Sequence, residues 1–198
     1  MDMDARIAKA FADISENFIR LRASAPVVAA IARLWIEALH SGHKVIFCGN
    51  GGSAADSQHL SAELMGRYKF DRPPLPALSL TTDTSALTAI GNDYGYEQVF
   101  SRPLRGIGRR GDVLVGISTS GNSRNVLEAF AVAREMGIRT VAFTGQGGGR
   151  MKEAAELCLC VPATATNSVQ EMHIACGHLV CGLVEEAMFP GRACGRPE

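Results

Sequence analysis

The run Ser118-Thr119-Ser120-Gly121-Asn122-Ser123 packs four hydroxyls and a glycine into six residues. Between a buried strand and a helix N-terminus, such a turn offers hydroxyl donors, free backbone N–H groups and a positive dipole end, which together suit a phosphate monoester. One Ser or Asn there would be read as a helix cap, but four hydroxyls exceed what a cap needs. No Gly-Lys-Ser/Thr run occurs, so there is no Walker-type nucleotide loop and a sugar phosphate is favoured over ATP. A second turn, Gly49-Asn50-Gly51-Gly52-Ser53-Ala54, matches G-x-G-x-x-A, and Asp83 follows the next strand where a dinucleotide fold could hold ribose. A nicotinamide-dependent dehydrogenase is therefore an alternative, although it would leave the hydroxyl run without a role. Downstream, His59 and Glu63 stand four apart, so on a helix they share one face. An imidazole beside a carboxylate is a half-site for a metal, an acid–base pair, or a plain surface hydrogen bond. His173 and His178, five apart, do not share a helix face, which argues against a two-histidine zinc site on that helix alone.

The elements that must position these groups read as two leading helices followed by an α/β core. Residues 4–22 place Ile7, Ala10, Phe11, Ile14, Phe18 and Leu21 on one stripe, and Pro26 opens a second helix that Gly42 closes. Five apolar runs then predict strands at Lys44–Cys48, Pro76–Leu80, Asp112–Ile117, Arg139–Thr144 and Leu157–Val161. Helices are expected over Ser53–Met65, Asn125–Met136 and about Ser168–Met188. Buried strands alternating with helices imply an α/β fold, a five-stranded parallel sheet with helices on both faces. Ligands of such sheets bind beyond the carboxyl ends of the strands, where both turns lie. The expected organisation is a pair of helices over 1–42 that pack in an oligomer, and a binding domain over 43–198 that includes the last helix.

The chain has 198 residues, 46% hydrophobic and 20% charged, with 20 Lys+Arg against 20 Asp+Glu. That is one domain without a net field, which excludes disorder and a strongly basic nucleic-acid surface. The cysteines, Cys48, Cys158, Cys160, Cys176, Cys181 and Cys194, sit mostly in apolar runs and read as free thiols of a reducing compartment. The acidic start lacks the pattern of a signal peptide and no apolar run is long enough for a membrane span, so a cytoplasmic protein is expected.

In combination, Gly49 to Asp56, His59 and Glu63, Thr88 to Gly95, Ile117 to Ser123, and Gln170-Glu171-Met172-His173 with His178 resemble the sugar isomerase (SIS) family, and within it the bacterial phosphoheptose isomerases. The resemblance runs from the leading helices to Met188. It implies an aldose–ketose isomerase that converts sedoheptulose 7-phosphate to D-glycero-D-manno-heptose 7-phosphate through a cis-enediol, the first step towards heptose for cell-surface glycan (lipopolysaccharide). It also implies a homotetramer with active sites at subunit interfaces, one zinc per subunit, and no nucleic-acid or membrane partner. Carried over, the metal ligands are His59, Glu63, Gln170 and His178, and the catalytic pair is Glu63 and His178. Substrate contacts fall on Asn50, Gly51, Gly52, Glu63, Asn92, Asp93, Ser118, Thr119, Ser120, Ser123 and Gln170. Some relatives carry an acidic residue where this chain has Asn167. Relatives that only bind a phosphosugar, or that bind a replication initiator, form a non-catalytic alternative, but those initiator binders lack the acid–base pair that this chain keeps.

On a continuous helix, eight residues put Gln170 roughly 12 Å from His178 along the axis, whereas metal bonds are only about 2 Å. Either Gln170 precedes the helix or the two residues come from different chains. The second is favoured because the leading helices and the Leu179–Val184 face offer apolar surface that a small sheet cannot cover.

Overall fold

The computed structural model describes residues 2–191, so Cys194 lies outside the described residues. In chain order the elements are α1 (Met3–Leu21), α2 (Ala25–His40), β1 (Val45–Gly49), α3 (Gly52–Met65), β2 (Ala77–Ser79), α4 (Thr84–Tyr94), α5 (Ser101–Ile107), β3 (Val113–Ser118), α6 (Arg124–Met136), β4 (Arg139–Thr144), α7 (Met151–Ala154), β5 (Leu157–Cys160) and α8 (Thr166–Met188). All strand pairs are parallel, in the order β2-β1-β3-β4-β5. The order reverses between β1 and β3, so the turns that leave these two strands face one crevice at the switch point.

Each face of the sheet carries its own core. Phe47, Val115 and Phe143 point to one side, against Trp35 of α2, Leu60 of α3 and Val180 of α8. Ile46, Leu114 and Ala142 point to the other, against Leu104 of α5 and Phe130 of α6. Every residue of β1 and β3 is buried, as a strand covered on both faces requires.

Of the two leading helices, α2 belongs to the chain's own core, with Ile31 and Trp35 fully buried. Helix α1 buries only Leu21, and Ile7, Phe11, Phe18 and Ile19 are left exposed. Helix α8 starts two residues before the expected Ser168, so Gln170 does not precede the helix but lies within it. Cys48, Cys176 and Cys181 are buried and Cys158 and Cys160 half-buried, all as free thiols. Burial pushes the Cys48 thiol up to about 12, which keeps it protonated and unreactive. Among the described residues no helix is long and apolar enough to cross a membrane.

Candidate active site

Beyond β3, the hydroxyls of Ser118 and Ser123 meet at 2.8 Å, with Ser120 at 3.4 Å from Ser118. Ser123 holds the N-cap position of α6, yet its side chain makes no capping bond and its hydroxyl turns instead to Ser118. Gly121 bends the turn at φ 65°, and a Cβ there would overlap the carbonyl oxygen of Gly148. The Gly145 amide donates to Thr119 O at 3.0 Å and the Met151 amide to Gly121 O at 2.9 Å, so the loop after β4 braces the turn. A cavity of about 290 Å³ opens here, lined by Asn50, Gly51, Gly52 and Ser53 from the first turn, Ile117, Ser118, Thr119, Ser120 and Ser123 from the second, and Thr166 and Gln170 from α8. The amides of Asn50 and Asn125 exchange two hydrogen bonds, at 2.9 and 2.8 Å, which lock the two turns together. The Tyr96 hydroxyl donates to the same Asn50 oxygen at 3.1 Å.

A second cluster forms where α3 crosses α8. His59 Nε2 lies 3.0 Å from Glu63 Oε1 and 2.8 Å from His178 Nε2. Ligand atoms of all three residues fall within 4.8 Å of one another. Two imidazoles and a carboxylate that converge from one side make a donor set suited to a catalytic zinc, with coordination positions left over. The helices approach this closely because Gly177, next to His178, faces Leu60, next to His59, and a Cβ there would press into the leucine side chain. The Tyr68 ring stacks on His178, 5.7 Å between centroids and 22° between planes.

A buried ion pair fixes the crossing. Arg72 donates to the Glu63, Leu64 and Gly66 carbonyls at 2.7, 2.6 and 2.9 Å, which satisfies the C-terminus of α3 and sets a cation at its negative dipole end. Its Nε donates to Glu185 of α8 at 3.0 Å, and that carboxylate also accepts from the Tyr68 and Lys69 amides. Both side chains are 0% exposed.

The remaining expected residues divide. Gln170 stands against Gly52 beside the hydroxyl turn, about two turns before His178 on the continuous α8, and lines the cavity. Glu63 and His178 meet within one chain. Asn92 and Asp93 are exposed on α4, hydrogen-bonded to each other at 2.8 Å, and line no part of the cavity. Asp83, the candidate ribose ligand of a dinucleotide fold, is spent as the N-cap of α4, accepting from the Ala86 amide at 2.9 Å. The sequence reading missed Asn125, Tyr96, Tyr68 and the Arg72–Glu185 pair. Asn125 alone had a local signal, as a second amide three residues after Asn122, at the start of the helix behind the hydroxyl run.

Comparison with known proteins matches residues 9–145 to the SIS domain family. The chain is 62% identical over 178 residues to a phosphoheptose isomerase of Akkermansia muciniphila, an alignment that covers 90% of this chain and 94% of the relative. Among solved structures, a phosphoheptose isomerase from Francisella tularensis superposes with a TM-score of 0.90 at 32% identity, covering 94% of this chain and all of the other. One from Neisseria gonorrhoeae gives 0.87 at 43% identity, covering 93% and all.

Proposed function

The chain belongs to the SIS-domain family, among the phosphoheptose isomerases, and from that premise we propose that it interconverts sedoheptulose 7-phosphate and D-glycero-D-manno-heptose 7-phosphate, the entry to heptose synthesis. It is an aldose–ketose isomerase. The observation that carries the reading is the meeting of Glu63 and His178 about two turns along α8 from Gln170, which itself lines the cavity at the hydroxyl turn suited to phosphate. Neither the dinucleotide nor the non-catalytic alternative is favoured beside relatives of this identity.

Moving the carbonyl between C2 and C1 requires a base for a carbon-bound proton and a group that passes protons between two oxygens. Glu63 Oε1 faces His59, which leaves Oε2 for the proton on carbon. His178, held by the Tyr68 ring and by His59, serves the oxygens through its ring nitrogen. The Ser118, Ser120 and Ser123 hydroxyls and the first amides of α6 hold the phosphate, and Asn50, the backbone of Gly51 and Gly52, Thr119 and Gln170 line the path of the sugar between the two ends. Asn92 and Asp93 remain expected substrate contacts on the strength of the resemblance alone.

One zinc per subunit fits His59, Glu63 and His178, with Gln170 as the fourth ligand that the resemblance suggests. Bound there, it would act as a Lewis acid on the sugar's oxygens. The free cysteines support a cytoplasmic location. The exposed apolar residues of α1 and the groove of about 390 Å³ between Phe18, Leu21, Val28, Leu179 and Leu183 support the homotetramer, with residues 1–42 packing against other copies and the sites near those interfaces.

The test is turnover of sedoheptulose 7-phosphate in deuterated water. The reading expects the aldose carrying solvent deuterium at C2, and absence of any aldose would overturn it.

A further inference from the structure

Among the described residues, no lysine or arginine lines the phosphate cavity: its lining is hydroxyl, amide, backbone and one isoleucine. A sugar phosphate is close to dianionic at neutral pH, and hydroxyls with a helix end compensate only part of that charge. A candidate for the rest is Arg124. It is the first residue of α6, directly after Ser123, and it lines an adjoining hollow of about 260 Å³ that shares Asn50 and Ser123 with the phosphate cavity.

The position of Arg124 is electrostatically unfavourable as it stands. A cation in the first turn of a helix opposes the macrodipole, and α6 has no acidic residue in that turn to offset it. Glu97 shares the hollow and Glu128 stands one turn on, yet the Arg124 guanidinium forms no ion pair with either; the side chain is exposed. An anion at the hydroxyl turn would relieve this conflict, because Arg124, the α6 amides and the Ser123 hydroxyl would then all face the same charge.

We propose that Arg124 is a substrate-binding residue whose guanidinium pairs with the phosphate of the sugar held at the Ser118–Ser123 turn. This rests on the isomerase reading and adds to it the group that selects for a phosphorylated substrate. Arg124 lines a hollow that neither Glu63 nor His178 lines, so it contributes to binding and takes no part in proton transfer.

Two measurements on Arg124→Ala and Arg124→Lys test this. In turnover, Arg124→Ala raises KM roughly 10- to 100-fold, the range for a lost charged hydrogen bond, and leaves kcat within about threefold. Arg124→Lys recovers part of the loss, as a point charge replacing a planar fork does. In calorimetry with inorganic phosphate alone, Arg124→Ala weakens binding by a similar factor, a readout that stands even if the chain turns over no heptose phosphate and the isomerase reading fails. Phosphate affinity within twofold of wild type in Arg124→Ala would overturn the proposal, as would a fall in kcat with KM unchanged.

Discussion

His59 Nε2 and His178 Nε2 stand 2.8 Å apart, although 119 residues separate them in the chain. At that distance both rings cannot carry a proton on the facing nitrogens, so at least one presents a lone pair, and Glu63 adds an anionic oxygen 3.0 Å from His59. The arrangement stores cation-binding capacity at the point where α3 crosses α8.

The first prediction concerns that capacity. Wild-type protein dialysed against zinc and then against buffer should retain about one ion per chain, whereas His59→Ala should retain far less. Elemental analysis reads the difference. Equal zinc in both proteins would remove His59 from the ligand set.

Arg72 and Glu185 should matter to stability more than any surface pair. Glu185→Gln leaves a buried guanidinium without its counter-charge, and urea denaturation should show a loss of about 3–5 kcal/mol. Loosening this clamp should also lower kcat, since Arg72 holds the Glu63 carbonyl.

Gly121→Ala meets two penalties, a positive φ and a clash with the Gly148 backbone. Stability should fall by more than about 1 kcal/mol, and the KM for sugar phosphate should rise as the hydroxyl turn moves. Unchanged KM would show that the turn does not hold the phosphate.

His173 gives the protein an acid sensitivity of its own. The ring is fully buried against Phe143, neither nitrogen finds a hydrogen bond of good geometry, and burial lowers its pKa from 6.5 to about 4, weakly opposed by the Thr144 backbone. A depressed histidine means that the unfolded chain binds the extra proton between these values, so stability is fully present above about pH 6.5 and falls as pH drops towards 4. From this residue alone, stability at pH 5 should be about 2 kcal/mol below that at pH 7. Denaturation of His173→Leu at the two pH values should show that part of the difference gone.

Much of this was legible in the sequence because each signal was local. The apolar runs at β1 and β3 and the glycine and hydroxyl turns behind them name both walls of the crevice, and the four-residue spacing of His59 and Glu63 puts them on one helix face. Helix α4 was not visible, since it buries no residue fully and its apolar stripe is only the half-buried Leu87 and Ile90 among polar and small residues. The Arg72–Glu185 pair joins residues 113 apart, and no periodicity announces a contact of that range. The expected separation of Gln170 from His178 does appear along α8, but Gln170 lies inside the helix, and the acid and the base come together without a second chain.

The claim that Glu63 removes the carbon-bound proton is tested most directly by Glu63→Gln, which keeps the shape of the side chain and abolishes its basicity. Steady-state turnover of sedoheptulose 7-phosphate by folded variant and wild type should show kcat lower by at least about 100-fold in the variant, the low end for a lost general base. A kcat near that of wild type would contradict the account.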